Sequence, residues 1–175
     1  MGKGYVLKCS KCNYSFEVNF GVGFMFLQEY QKTMEAARKG KLGEDVQAFL
    51  AEHSDGILDS DHVLLQCTSC GNLDRGADLS MYVPIDKPIA NAGKWSGTFT
   101  IEGETYAVPW ELKERYQFVK PYDHICKKCK GKMRVIKEED LISGDQEYKG
   151  IGVKVNLNCP KCQEHMIISG IIMWD

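Results

Sequence analysis

Eight cysteines fall in four Cys-x-x-Cys pairs with none left over, and no other feature constrains this chain as tightly. The pairs are Cys9/Cys12, Cys67/Cys70, Cys126/Cys129 and Cys159/Cys162. Two residues between cysteines let both sulfurs of a tight turn face one ion, with backbone N–H groups close to the thiolates. Two such turns complete a tetrahedral four-sulfur site, the common structural coordination of Zn²⁺. The flanks agree. GYVLKC, HVLLQC, DHIC and VKVNLNC lead in, and NYSFEV, GNL, KGKMRVI and QEHMII lead out, so each pair reads as strand, knuckle turn, strand. The residue after the second cysteine calls for a left-handed backbone, which Gly and Asn tolerate best. Gly71 and Asn13 suit that demand, and Lys130 and Gln163 suit it less well.

These residues resemble the zinc-ribbon superfamily, in which two knuckle hairpins clamp one zinc. The resemblance covers the two ends of the chain and not its middle. Two ribbons with a helical insertion are also similar to small bacterial double-zinc-ribbon proteins of unassigned function. A likeness of this kind implies a fold and a metal, here two Zn²⁺ on eight cysteines, and it implies no activity.

Four knuckles allow three pairings. Loop-closure entropy grows only with the logarithm of length and separates them by about 1 kcal/mol. Elements adjacent in sequence usually pack together, which favours sequential pairing: Cys9, Cys12, Cys67 and Cys70 in one site, Cys126, Cys129, Cys159 and Cys162 in the other. The expected class is small α+β. Residues 1–79 form a ribbon with a two-helix insertion at about 25–53, residues 80–121 a β-rich connection, and residues 122–175 a second ribbon. In the insertion, Leu27, Tyr30, Met34 and Ala37 recur at helical spacing up to Gly40. Val46, Phe49 and Leu50 follow Glu44 and Asp45, which suit a helix N-terminus. SMYVPI, TFTIEGETYAV with a turn at Gly103, and a run ending at Pro121 read as strands. No further repeat stands out.

Several functions fit the residues poorly. No apolar run approaches the ~18 residues of a membrane span, and MGKGYVLKCS has no hydrophobic signal core. The expected location is therefore cytoplasmic, where cysteine clusters bind metal more often than they form disulfides. A dithiol redox centre wants one pair at a helix N-terminus, and these pairs lie between strands. Rubredoxin-like iron remains an alternative, because tetrahedral sulfur coordination suits iron as well as zinc. Catalytic zinc keeps an open position, and two complete four-cysteine sites have none. His53, His62, His124 and His165 are scattered, although His124 stands close enough to Cys126 to donate a hydrogen bond to a thiolate. Asp55, Asp59 and Asp61 read as a solvated loop.

The basic run Lys127, Lys128, Lys130, Lys132, Arg134 and Lys137 offers nucleic acid as a partner. Three observations weigh against it. Zinc held by four thiolates is net negative, so nearby lysines offset its field. The run has no aromatic ring on which bases could stack. The chain has a formal charge of -2, and Glu44 to Asp61 contains acidic residues but no Lys or Arg. The sequence thus reads as a non-catalytic zinc protein whose inserted helices or mid-chain strands bind another protein, with nucleic-acid binding as the alternative and an enzyme or a rubredoxin-like iron electron carrier ranked third.

Overall fold

Strand β1 (Gly2–Cys9) buries Tyr5, Leu7 and Cys9 while Lys8 between them is exposed. That alternation is the signature of a sheet with one face on a core. The structure is a computed structural model that describes residues 2–23, 26–85, 98–101, 104–142 and 150–174. The chain divides into two units, each discontinuous in sequence: residues 1–23, 62–77 and 123–175, and residues 24–61 and 78–122. The inserted helices therefore do not share a unit with the hairpins that flank them.

In the first unit, β1 is paired antiparallel on both sides, with β2 (Ser15–Phe20) and with β12 (His165–Trp174). The β1–β12 ladder runs from Gly2↔Trp174 to Cys9↔Met166, with a bulge between Val6 and Leu7. β11 (Lys154–Asn158) adds an outer strand with Val155 and Leu157 buried, giving the order β11-β12-β1-β2. A second sheet has the order β10-β4-β5, from β10 (Met133–Ile136), β4 (His62–Cys67) and β5 (Leu73–Ala77). Both sheets feed one core. Tyr5, Leu7, Val18, Phe20, Val155, Leu157, Met166 and Ile168 from the first pack with Leu64, Leu73 and Ile136 from the second. The short helix α4 (Glu138–Leu141) adds Leu141 to this core, and its Glu138 accepts a 2.6 Å hydrogen bond from the Tyr5 hydroxyl.

In the second unit, α1 (Phe26–Arg38) buries Tyr30, Met34 and Ala37, as the helical spacing predicts. The side chain of Leu27 lies outside the described residues. Gly40, at φ 72°, ends the turn after α1 and donates its N–H to the Ala37 carbonyl, a left-handed position where glycine carries no Cβ penalty. α2 (Glu44–Glu52) buries Val46, Phe49 and Leu50. β3 (Ile57–Leu58), β6 (Met81–Pro84) and β9 (Tyr116–Lys120) form an antiparallel sheet in the order β3-β6-β9. β7 (Thr98–Ile101) and β8 (Glu104–Ala107) form a hairpin, and the turn expected at Gly103 lies outside the described residues.

Two expectations are corrected in this unit. The run before Pro121 is not all strand: Pro109–Arg115 is a helix, α3, with Pro109 at its first position. There the missing N–H costs nothing, because the first turn has no intrahelical acceptor for it. Asp59 is 3% exposed and so is not solvated. Its backbone is locked on both sides, donating to the Ser80 carbonyl and accepting from the Leu79 N–H, while its carboxylate accepts from the Asp61 N–H.

Replacing Leu7, which is fully buried in the first core, by Ala should cost about 2–5 kcal/mol through lost burial and an unfilled cavity. The check is the denaturant midpoint at saturating metal.

Candidate metal centres

The eight cysteines gather into two groups of four whose sulfurs lie within 4.8 Å of one another. One holds Cys9, Cys12, Cys159 and Cys162, and the other Cys67, Cys70, Cys126 and Cys129. This corrects the sequential pairing. The pairing is nested, the outermost knuckles together and the inner two together. Sheet neighbourhood decides it and not sequence neighbourhood: β1 is laddered to β12, and β4 to β10.

The two centres are built alike, which reveals a repeat that the sequence reading missed. In each, the strand leading into the first knuckle pairs with the strand leading out of the second, in the same register: Cys9↔Met166 and Cys67↔Met133. All four knuckles close with the first cysteine's N–H on the carbonyl five residues on: Cys9 to Tyr14 at 2.9 Å, Cys67 to Asn72 at 2.9 Å, Cys126 to Gly131 at 2.9 Å and Cys159 to Glu164 at 2.7 Å. The left-handed position falls on Gly71 (φ 69°), Lys130 (φ 62°) and Gln163 (φ 61°), and Asn13 does not adopt it. Lys130 and Gln163 accept the steric cost because the turn donates their N–H groups to the carbonyls of Cys126 and Cys159, each at 2.9 Å.

The sulfurs are crowded. Cys9 and Cys162 are 3.4 Å apart, Cys12 and Cys159 3.7 Å, and Cys12 and Cys162 3.6 Å. In the inner centre Cys67 and Cys129 are 3.4 Å apart, and Cys70 and Cys126 3.8 Å. Four sulfurs at about 2.3 Å from one zinc would stand about 3.8 Å from each other. Backbone N–H groups approach them as well: Lys11 and Cys12 toward Cys9, Cys70 toward Cys67, and Lys161 toward Cys159, each at 3.4 Å.

The acidities follow from this crowding. Burial pushes the Cys9 thiol up, but the N–H groups of Cys12 and Lys11 together with the Cys162 sulfur outweigh it and bring the pKa down to about 6. Cys67 also comes down to about 6, first through the N–H of Cys70. Cys129 is pulled down by the Gly131 N–H, yet the Cys67 and Cys70 sulfurs carry it up to about 12. Cys162 stands at about 12 too, the Glu164 N–H being outweighed by the Cys9 sulfur, burial and its other sulfur neighbours. Cys9 and Cys67 thus ionise easily, and Cys162 and Cys129 then resist. A divalent cation removes that resistance and lets all four sulfurs ionise. The donor set therefore fits a thiophilic cation.

None of the histidines joins a cysteine group among the described residues. His124 is buried, and its carbonyl accepts from the Met133 N–H at 2.8 Å. Three members of the basic run have local partners: Lys127 pairs with Asp74 at 3.0 Å, Lys132 with Asp123 at 3.2 Å, and Arg134 donates twice to the Gln66 side chain, at 3.0 and 2.6 Å. Among the described residues no helix is long and apolar enough to cross a membrane. No family, curated protein or solved structure matches the chain.

A double variant, Cys12→Ser with Cys162→Ser, tests the nesting. Both changes fall in one group, so elemental analysis should find one metal per chain, still held by Cys67, Cys70, Cys126 and Cys129. Sequential pairing would damage both groups and leave none.

Proposed function

We propose that the chain is a non-catalytic zinc protein in which two structural four-cysteine sites brace the first unit, and that the second unit is a module for binding another protein. The gathering of all eight cysteines into two four-sulfur groups carries the metal half of this reading. Each site, once its four sulfurs hold an ion, offers no open position for substrate or water, which speaks for a structural role. Zinc is favoured over iron because the reading requires no redox chemistry; ligand type alone suits both.

The partner half rests on the second unit. The inserted helices bury Tyr30, Met34, Ala37, Val46, Phe49 and Leu50 within a unit of their own, together with residues 78–122. A segment serving only to cover a ribbon would not need a separate core. Nucleic acid is the less favoured partner, since Lys127, Lys132 and Arg134 already have local partners. Such pairing lowers the charge available to phosphates.

Elemental analysis should give two zinc ions per chain, and protein from metal-balanced medium should be colourless; a red iron protein overturns the choice of metal. Structural zinc contributes about 10–16 kcal/mol of apparent binding free energy, as large as a domain's whole stability of about 5–15. A strong chelator should therefore unfold the first unit, seen as loss of strand signal in circular dichroism. Acid acts in the same direction, because protons compete for the thiolates, so metal release should begin as the pH falls and not as it rises.

The partner class is tested by measuring affinity for mixed DNA and RNA, single- and double-stranded, at ~0.15 M salt. Weak binding is expected, unchanged when Lys127, Lys128, Lys130 and Lys132 become Ala. Sub-micromolar binding lost in that variant would reverse the order of the two partners.

A further inference from the structure

We propose that the hydroxyls of Ser10 and Thr68 are positioning groups that set how tightly each centre holds its metal, an inference that rests on the metal reading above. In each first knuckle, the N–H and the hydroxyl of the residue after the first cysteine converge on one carbonyl. Ser10 donates from N at 3.2 Å and from Oγ at 3.1 Å to the oxygen of His165. Thr68 donates from N at 3.0 Å and from Oγ1 at 2.9 Å to the oxygen of Lys132. His165 and Lys132 occupy the same place, three residues past the last cysteine of the partner knuckle. A carbonyl oxygen has two lone pairs, so both donors can be served at once.

The clamp stands beside a close sulfur pair between hairpins in each centre: Cys9 with Cys162 and Cys67 with Cys129, both at 3.4 Å. Those sulfurs come from separate hairpins and repel once ionised. Whatever holds the knuckles at this separation before the metal arrives lowers the cost of ordering them when it binds. The backbone N–H could do part of this for any residue type. The hydroxyl makes the clamp two-pronged, and it recurs in two different sheets. It also runs one way, because the second knuckles carry Lys127 and Pro160 at the equivalent position and have no hydroxyl to offer.

Ser10 and Thr68 are exposed, so shortening them opens no core cavity. The test uses Ser10→Ala and the near-isosteric Thr68→Val in the full chain, with Co²⁺ as probe, titrated against a competing chelator and read by sulfur-to-cobalt charge-transfer absorption. Ser10→Ala should weaken one site about 10-fold and leave the other unchanged, and Thr68→Val should do the converse, the usual scale for groups that orient metal ligands. Ser10→Thr and Thr68→Ser should restore wild-type affinity. Wild-type affinity in both truncated variants overturns the proposal. So does an equal loss in truncated and hydroxyl-keeping variants, or a loss spread over both sites. A wild-type chain that takes up no Co²⁺ overturns the metal reading instead.

Discussion

Sulfurs 3.4 to 3.8 Å apart cannot all be negative without a cation between them, and the first unit is arranged around that demand. Each hairpin contributes half a ligand set, so neither hairpin of a centre is complete alone. The β1–β12 and β4–β10 ladders bring the halves together, and the same strands carry Tyr5, Leu7, Leu64, Met166 and Ile168 into the core. Ligand placement and core formation are thus one set of contacts. Disturbing the core would shift the sulfurs, and a centre that holds no cation must keep some of its thiols protonated.

Much of the site was legible in the sequence because Cys-x-x-Cys is a local device: spacing, turn and ligand type are all written within a few residues. The helices around Tyr30, Met34 and Ala37 and around Val46, Phe49 and Leu50 were legible for a similar reason, since a 3.6-residue period needs no distant partner. Which knuckle joins which was not legible by proximity. Sheet pairing is set by side chains that meet across the core, and sequence distance barely weighs on it.

A signal was nonetheless present. Leu7-Lys8-Cys9-Ser10 and Leu65-Gln66-Cys67-Thr68 are one type of knuckle. The knuckles at Cys126 and Cys159 are another, each with a methionine four residues past its last cysteine, Met133 and Met166. Pairing joins unlike types, which by itself excludes the sequential arrangement. The helix at Pro109–Arg115 was legible too, with proline at its start, Glu111 in the first turn and Lys113 and Arg115 in the last, but the strand-rich surroundings masked it. The left-handed Lys130 and Gln163 could not be inferred from residue preference, because the knuckle's hydrogen bonds override it.

Nesting also fixes an order of events on the ribosome. Cys9 and Cys12 emerge first, yet their ligand partners, Cys159 and Cys162, emerge last. The inner centre can close once Cys129 is clear, whereas the outer pair must wait until Cys159 and Cys162 are clear. In that interval the nearest thiols on offer to Cys9 and Cys12 are Cys67 and Cys70, on a knuckle of their own type. In the nested arrangement Ser10 and Thr68 instead donate to carbonyls on the later hairpins, those of His165 and Lys132. Of the two centres the outer is thus the later to close, and its first two thiols wait longest.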